Sequence, residues 1–450
     1  MMKTYQNHAM TDAEARQALA DACKQVETNL PLYTYQCQNH SSVNNIYPGC
    51  ANNQWTCGFW PGEIWLAYEA TGEEKFKTAA LIQVDSFADR IARKVEVDHH
   101  DMGFLYSPTC VAAWKLVSSE KGKNAALLVT HGGHGAFSDT KISTTGNGAT
   151  AAYGYSKGTY INLTDSTVDT TGNFAPAAEA AEKAMMKLAG TTASTTGYGS
   201  PAIKVSKNGG IILAENSHFT TTGQESHGVY SSGDVTLTGS TVNAQATKAA
   251  VVKNNNTLSL ENSTLEGNET NSVPYNIVLY SDESAIGTMG TQQFNAKDST
   301  LISHKGGMFY ITSTHGRVTL ENTTIQQDGT LPVFTVTGND GSFGWGEAGS
   351  NGGHVQIVLV KQNLTGNILV DSISNVNMNI TDGSVWTGAI HIVPNAQNGD
   401  AYHTNADIFI AAGSTWDLTE DSEVTTVSNL GTINYNGHTI KLADGTVMKA

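Results

Sequence analysis

Two loops near the start of the 450-residue sequence concentrate side chains that can exchange protons or stack against a ligand. The first loop, residues 55–61, is rich in aromatic residues, glycine and proline. The second, residues 99–108, contains His100 and Asp101. A carboxyl group can donate or accept a proton, but Asp101 precedes Met102 and Gly103 in this loop and is therefore also typical of a helix cap. Residue types alone leave both interpretations of Asp101 open.

The segments around these loops predict helices. Residues 11–26 begin with the helix-start residues TDAE and continue with good helix formers. Residues 62–70 and 76–91 place apolar side chains at three- and four-residue spacing, and residues 110–117 look like the start of another amphipathic helix. Helices joined by loops that carry aromatic residues and carboxylates predict a portion of an α/α toroid, which we place at residues 1–125.

Other groups of reactive side chains fit ligand sites less well. His131 and His134 have no evident third ligand, so an entry loop is favoured over a metal site. The glycine-rich residues 339–353 lack the Lys-Ser/Thr of a phosphate loop and predict a long surface loop. Three side chains in that loop could also contact a sugar: Asp340, Trp345 and Glu347. The sequence therefore predicts neither a bound metal nor a cofactor.

The cysteines indicate a reduced compartment. Their number is odd and their spacings match no zinc pattern, so free thiols are favoured over a disulfide framework for Cys23, Cys37, Cys50, Cys57 and Cys110. Residues 1–12 are polar and lack the apolar run of a signal peptide, and no stretch of about 20 apolar residues follows. As it stands, the sequence predicts no membrane span and a cytoplasmic location.

The charge balance argues against nucleic acid as a partner. The sequence has 25 basic and 41 acidic residues, a net charge of −16, whereas binding to a phosphate backbone needs clustered cations. Most of the negative charge lies after residue 127, where Arg317 is the only arginine. Such a surface favours neutral or cationic ligands over an anionic polymer.

From about residue 126 onward a short pattern recurs along the sequence. Each copy is an apolar-polar-apolar strand, an Asn/Asp/Gly-Ser/Thr corner and one further apolar residue, at steps of about 23 to 24 residues that are typical of a solenoid coil. The copies are residues 161–168, 212–219, 235–242, 258–265, 294–301 and 318–325. A second strand appears in most coils. The repeat predicts a right-handed parallel β-helix, pectin-lyase-like in architecture, over residues 126–450.

One repeat phase makes Leu163, Leu237, Leu260 and Leu320 equivalent, so we expect them to align in the core of this β-helix. Residues 176–189 interrupt the pattern. Because this segment is rich in alanine, begins with proline and is followed by glycine, it predicts a short helical insertion.

The two loops also carry a family resemblance. Residues 53–69 (NQWTCGFWPGEIWLAYE) and 99–115 (HHDMGFLYSPTCVAAWK) closely resemble the unsaturated glucuronyl hydrolases of glycoside hydrolase family 88. The resemblance covers about the first 120 residues. It implies the start of an (α/α)6 barrel, a six-hairpin glycosidase-like fold of bacterial carbohydrate metabolism that removes an unsaturated uronic acid from oligosaccharides.

The resemblance also implies roles for individual residues. In this family a carboxylic acid protonates C4 of the C4=C5 enol ether, water adds at C5, and the hemiketal opens and releases the aglycone. Asp101 would be the first of two catalytic aspartates, His100 would bind the sugar carboxylate and Trp55 would form a platform against the sugar ring. Trp60 and Trp65 are interpreted as core aromatic residues.

This sequence departs from the family where the second aspartate should follow. Asp165 and Asp169 lie at about a suitable distance along the chain, but they belong to the β-helix repeat and do not match the family's surroundings. We therefore expect hydrolase activity to be impaired.

The alternative is a non-catalytic protein, because the later coils resemble adhesin-like β-helix proteins and imply a carbohydrate-binding role outside the cell or at its surface. The expected partner on both hypotheses is an oligosaccharide or polysaccharide glycan. The sequence leaves the oligomeric state open.

Overall fold

The chain forms two compact units, Met1–Ala126 and Leu127–Ala450. We analysed a computed structural model of the protein. It describes residues 10–93, 95–97, 101–117, 127–206, 208–269, 273–281, 291–338, 349–395 and 405–450.

The first unit is helical, as predicted. Its helices are α1 (Asp12–Tyr33), α2 (Phe59–Thr71), α3 (Glu74–Ala92), α4 (Met102–Tyr106) and α5 (Ala112–Val117). The predicted TDAE start is a capping box, in which the Thr11 side chain accepts from the Glu14 N–H and the Glu14 carboxylate accepts from the Thr11 N–H. One π turn, Ser107–Val111, connects α4 to α5, and the strands Cys37–Gln38 and Gly49–Cys50 pair antiparallel between α1 and α2.

The core of this unit lies between α2, α3 and the α4–α5 segment. Trp60 and Trp65 are 2% and 1% exposed, which confirms them as core residues. The Trp60 indole N–H donates to the Tyr33 carbonyl at 3.0 Å, so its polar atom is satisfied inside the core. None of the helices within the described residues is long and apolar enough to cross a membrane.

The second unit is a three-faced parallel β-helix. Each regular coil contributes one strand to each of three sheets, and within these three sheets each strand pairs in parallel with the equivalent strand one coil away. Sheet 1 consists of His134–Ser138, Tyr160–Thr164, Met185–Ala189, Ile211–Glu215, Asp234–Thr238, Thr257–Glu261, Thr291–Lys297, Thr314–Glu321, Gly353–Val360, Asn375–Thr381, Ala406–Ile410 and Thr426–Asn429. Sheet 2 consists of Lys141–Thr144, Thr167–Thr170, Thr192–Thr195, His218–Thr221, Thr241–Ala244, Thr264–Gly267, Thr300–Ser303 and Thr324–Gln327.

Sheet 3 contains the predicted second strand of the coils. It consists of Leu127–Thr130, Ala152–Tyr155, Ala178–Ala181, Ile203–Val205, Val229–Ser231, Ala250–Lys253, Tyr275–Tyr280, Gly307–Thr312, Phe334–Thr337, Ile368–Asp371 and Ile390–Val393. Two small sheets complete the last coils. They are Asn363–Thr365, Val385–Thr387, Thr415–Asp417 and Thr432–Asn434, and then Ser422–Val424, Ile440–Leu442 and Val447–Met448.

The interior is a stack of equivalent apolar side chains, as the repeat predicts. In sheet 1, Leu163 is in register with Leu188, Leu237 with Leu260, and Leu320 with Leu359. These leucines are at most 3% exposed. The predicted alignment of the inward positions is therefore confirmed.

The corner between sheets 1 and 2 explains the Asn/Asp-Ser/Thr pattern. Asp165, Asn216 and Asn262 adopt positive φ of 47°, 47° and 49°, a conformation that Asn and Asp tolerate better than other side chains. The next residue in each coil contributes a buried hydroxyl. The Ser217 N–H donates to Ser240 Oγ at 3.1 Å, and the ladder continues at the same distance into the next coil. The corner residues therefore satisfy buried backbone groups between coils.

The alanine-rich segment 176–189 is not a helical insertion, so that prediction was wrong. It forms the strands Ala178–Ala181 and Met185–Ala189, which pair in parallel with the coils on both sides. Glu182 and Lys183 turn the corner between them with positive φ of 52° and 65°. Alanine's helix preference amounts to only a few tenths of a kcal/mol per residue, and stacking against two neighbouring coils overrides it.

The last coils are also held by stacked side chains. Trp386 and Trp416 are buried and lie face to face, with ring centroids 4.7 Å apart and planes at 11°. Ile440–Leu442 pairs in parallel with Ser422–Val424 on one side and antiparallel with Val447–Met448 on the other. A tight turn at Gly445 (φ 87°) permits this hairpin.

Candidate functional site

Asp101 lies at the start of α4, in the segment that follows α3. Its carbonyl accepts hydrogen bonds from the N–H groups of Phe104 at 2.9 Å and Leu105 at 3.3 Å, but its side chain makes no capping hydrogen bond. The carboxylate is half-buried. The helix-cap interpretation that the sequence left open therefore does not describe this side chain.

A row of three exposed aromatic rings runs from the first loop to α4. Trp55 meets Phe59 edge-on at a centroid distance of 6.4 Å, and Phe59 lies 5.6 Å from Phe104. The three side chains are 46%, 44% and 50% exposed, which is unusual for large aromatic residues in a folded unit. We call Trp55, Phe59 and Phe104 the aromatic row. It joins the first loop to the helix that Asp101 begins.

Sequence reasoning singled out Trp55 but missed Phe59 and Phe104. Phe59 follows Trp55 by four residues, which places both on one side of a helix start, and Phe104 belongs to the same short motif as Asp101. These spacings were the available signal. The choice between core and surface for each ring depends on tertiary packing, which the sequence does not display.

Two glycines allow the loops to approach each other. A Cβ at Gly58 would overlap the carbonyl oxygen of Phe104, and a Cβ at Gly62 would lie 2.8 Å from Cβ of Pro108. Both separations are closer than real Cβ contacts, so only glycine permits this packing. The start of α2 is consequently in van der Waals contact with α4 and with the π turn.

Arg90, in the core, donates hydrogen bonds to two loop segments, one before Trp55 and one before Asp101. Its side chain is fully buried, and its Nη1 donates to Asn52 Oδ1 at 3.0 Å and to the Gln54 carbonyl at 3.1 Å. Nε donates to the Val95 carbonyl at 3.0 Å and Nη2 to the Glu96 carbonyl at 2.8 Å. The guanidinium thus fixes the residues before Trp55 and the turn that leads towards Asp101.

Three thiols interact with one another, and one of them, Cys57, belongs to the first loop. The hydrogen bond from Cys37 lowers the pKa of the Cys57 thiol to about 6, helped by the backbone N–H of Gln54 and by the charge of Arg90. The same thiol pair raises the pKa of Cys37, and burial raises the pKa of Cys50 to about 11. All five cysteines are free, as predicted. Within the described ranges, no group of three His, Cys, Asp or Glu side chains is arranged to hold a metal.

The remaining candidate residues fall in different places. His100 lies outside the described residues, as do Asp340, Trp345 and Glu347. Asp165 turns a corner of the β-helix, and Asp169 accepts a hydrogen bond from Ser194 Oγ at 2.7 Å within sheet 2. His131 is a turn residue with φ of 53°, and the ring of His134 contacts Tyr160 edge-on at 6.0 Å. These contacts fit structural roles in the coils.

The helical unit is similar to one segment of carbohydrate-related hydrolases. The N-terminal part of the chain, about 26% of it, matches unsaturated glucuronyl hydrolases of glycoside hydrolase family 88 at 37–41% identity. The chain is 41% identical in sequence to the unsaturated chondroitin disaccharide hydrolase of Streptococcus pneumoniae over 118 residues. These residues make up 26% of this chain and 30% of the relative. It is 38% identical in sequence to the unsaturated glucuronyl hydrolase of a Bacillus species over 112 residues, which make up 25% of this chain and 30% of the relative.

Solved structures show the same partial correspondence. The crystal structure of the unsaturated glucuronyl hydrolase from Streptococcus agalactiae shares 37% sequence identity, covers 27% of this chain and 30% of its own, and has a TM-score of 0.26. The chain therefore spans about a third of the length of the relatives that it matches. No protein-family model matches the sequence.

Proposed function

We propose that the helical unit binds the unsaturated uronic acid at the end of an oligosaccharide, and that this chain by itself hydrolyses that sugar poorly or not at all. The observation that carries the proposal is the aromatic row of Trp55, Phe59 and Phe104, which ends at the helix that Asp101 begins. Exposed rings supply apolar faces for a sugar ring, and the carboxyl group of Asp101 can supply hydrogen bonds and a proton.

Relatives support this choice of ligand. The matching hydrolases are named for unsaturated chondroitin disaccharides and unsaturated glucuronyl groups, and one solved structure of the Streptococcus agalactiae enzyme is a complex with dGlcA-GalNAc6S. In this chain Asp101 is the candidate proton donor to C4, Trp55 the platform for the ring, and His100 the candidate partner of the sugar carboxylate.

The proposed weakness in turnover follows from the chemistry. Protonating the enol ether while directing water to C5 requires two groups held in a fixed relation to the substrate. Asp165 and Asp169 follow Asp101 at about the separation expected for the second catalytic aspartate. However, Asp165 forms a corner of the β-helix, and Asp169 accepts a hydrogen bond from the neighbouring coil. One positioned carboxylate binds and polarises the sugar but does not complete the site.

Calorimetric titration of the full chain with an unsaturated chondroitin disaccharide tests the binding step. We expect Trp55→Ala to weaken binding about tenfold, equivalent to about 1.4 kcal/mol, because it removes the proposed platform. Trp114→Ala is the matched control, since Trp114 is a 37% exposed tryptophan on α5 that is not part of the aromatic row. No measurable binding, or equal losses in the two variants, would contradict the proposal.

A non-catalytic carbohydrate-binding or adhesin-like role of the β-helix is the second candidate function. The specific observation that favours it is a groove across neighbouring strands of sheet 1, lined by polar and imidazole side chains. Binding of a glycan to the full chain that survives Trp55→Ala would support this candidate.

A further inference from the structure

The groove on sheet 1 has a volume of about 570 Å³ and lies on the outer surface of the β-helix. Its floor is made by the strands Thr291–Lys297, Thr314–Glu321, Gly353–Val360 and Asn375–Thr381. These strands have 7 or 8 residues, whereas those of the preceding coils have 5, such as Thr257–Glu261. The sheet therefore widens where the groove lies.

Outward side chains of successive coils form a polar column along the groove. Parallel pairing places five side chains in one register: Gln293, Arg317, Gln356, Asn377 and Asp407. Neighbouring members are separated by the strand spacing of about 4.8 Å. The column presents hydrogen-bonding groups at regular steps across the strands, which suits an extended chain with repeated hydroxyl groups.

The column begins with Gln293 and Arg317 and finishes at Asp407, so its two halves differ in charge. Arg317 is exposed, and among the described residues it has no ion-pair or hydrogen-bond partner. It is also the only arginine of the β-helix sequence. Asp407, three strands away and so about 14 Å distant, accepts a hydrogen bond from Thr426 Oγ1 at 2.6 Å. A carboxylate is therefore attracted at the Arg317 end and repelled at the Asp407 end.

A stacked imidazole pair lies beside Arg317. The rings of His315 and His354 are 5.0 Å apart with planes at 24°, and Asn375 Nδ2 lies 2.8 Å from His354 Nδ1. Burial and the neighbouring His315 lower the pKa of His354, whereas the carboxylate of Asp371 acts in the opposite direction. The pair therefore favours the uncharged form of His354 and offers a flat surface for a ring.

We propose that this groove binds a short glycan that carries one uronic acid at the Arg317 end and neutral sugars towards Asp407. The guanidinium of Arg317 can take the carboxylate in a bidentate pair, and the imidazoles can contact the apolar face of the same sugar. Gln356 and Asn377 offer amides to the hydroxyl groups that follow. This inference rests on the second candidate function and names its ligand class.

The test uses saturated tetrasaccharides, which have no enol ether. The first carries one terminal glucuronic acid followed by three glucose units, the second has four glucose units, and the third is tetragalacturonate. We expect the first to bind the full chain at least tenfold more tightly than the second. It should also bind more tightly than the third, whose additional carboxylates approach Asp407.

Substitutions locate the binding. Arg317→Gln should weaken binding of the single-acid glycan at least tenfold. Arg317→Lys should weaken binding less than Arg317→Gln but still measurably, because one ammonium cannot form the bidentate pair. Lys297→Gln is the matched control: Lys297 is an exposed cation of the same sheet, paired with Glu321 at 3.5 Å and outside the groove lining. It should keep affinity within twofold of the unsubstituted chain.

The outcomes distinguish failure of the proposed Arg317 site from failure of carbohydrate binding by the β-helix as a whole. If the acidic and neutral glycans bind equally and Arg317→Gln changes nothing, the inference is overturned although the β-helix still binds carbohydrate. If none of the three glycans binds, the inference and the second candidate function both fail. Equal losses in Arg317→Gln and Lys297→Gln would indicate a general charge effect and would also overturn the proposed site. Circular dichroism spectra that match the unsubstituted chain establish that the variants are folded.

Discussion

Gly58 packs against the carbonyl oxygen of Phe104 so closely that no other residue fits at position 58 without displacing the backbone. Gly58 precedes α2, and Phe104 belongs to α4. This contact joins the loop that carries Trp55 to the helix that begins at Asp101. The arrangement of the candidate site thus depends on a backbone approach that the two sequence motifs achieve together.

Gly58→Ala should therefore destabilise the helical unit by about 1–3 kcal/mol, the usual cost of overpacking. The matched control is Gly103→Ala, because a Cβ at Gly103 has no atom within 4 Å and the position lies inside a helix. That control should leave stability unchanged or raise it by about 0.5–1 kcal/mol. Chemical denaturation followed by tryptophan fluorescence measures both variants, and equal midpoints would contradict the packing described here.

Arg90 gives a second prediction for the helical unit. Arg90→Met removes the buried guanidinium that donates to the carbonyl groups of Gln54, Val95 and Glu96, so the unit should lose on the order of 3 kcal/mol of stability. Arg90→Lys should retain only part of this stability, because a single ammonium cannot reach all these acceptors.

The control for Arg90 is Arg93→Met, which removes an exposed guanidinium paired with Asp89 at 2.6 Å. Exposed pairs contribute little, so its unfolding midpoint should stay close to that of the unsubstituted chain. A small effect of Arg90→Met, comparable with that of Arg93→Met, would show that Arg90 does not fix the two loop segments.

In the β-helix, Val242→Asp should disturb more than one coil. Val242 is 1% exposed and lies in register between Phe219 and Leu265, so an aspartate there places a charge in a core shared by three coils. A loss on the order of 3–5 kcal/mol is expected. Thr241→Asp, at the exposed neighbouring position, is the control. Hydrogen exchange should increase in the coils on both sides of Val242, and unchanged exchange there would contradict an inward Val242.

His227 predicts a pH dependence of stability. Its ring stacks on Tyr230 at 5.8 Å, and its Nδ1 lies 3.0 Å from Thr247 Oγ1, which donates to Glu269 Oε2 at 3.1 Å. Burial and then the charge of Lys248 lower the pKa of His227 to about 3. The unfolded chain therefore takes up the proton first, near its usual pKa of about 6.5. Stability contributed by neutral His227 is complete above about pH 6.5 and falls as the pH decreases towards 3.

Between pH 7 and pH 5 this linkage amounts to at most about 2 kcal/mol. His227→Gln should remove that part of the pH dependence, so the unsubstituted chain loses more stability than the variant over this interval. His218→Gln is the control, because His218 is an exposed histidine in the neighbouring sheet 2. Parallel pH profiles of the His227→Gln variant and the unsubstituted chain would contradict a neutral His227 in the folded protein.

The β-helix could be predicted from the sequence because its rules are local and repeated. Alternation places Leu163 and its equivalents inside, and Asn or Asp before Ser or Thr defines the corner. The alanine-rich segment 176–189 was misinterpreted, because its strands exist only through pairing with neighbouring coils. The antiparallel pairing of Ile440–Leu442 with Val447–Met448 lies outside the repeat, so the repeat pattern does not predict it.

The candidate site was only partly predictable. Trp55 and Asp101 came from motifs, but the exposed positions of Phe59 and Phe104 and the fourfold hydrogen bonding of Arg90 arise from contacts between distant segments. The groove on sheet 1 was missed for a similar reason. Gln293, Arg317, Gln356, Asn377 and Asp407 are separated along the sequence and come together only through parallel register.

Hydrolysis of an unsaturated chondroitin disaccharide by the full chain tests the central claim most directly. Addition of water across C4=C5 abolishes the ultraviolet absorbance of the enol ether, so turnover is followed as a loss of that band. Asp101→Asn, which retains the size of the side chain but not its acidic proton, reports whether any turnover depends on Asp101. We predict little or no loss of absorbance and no difference between the two proteins. Robust turnover that disappears in Asp101→Asn would contradict the account, because it would mean that this chain assembles a complete catalytic site.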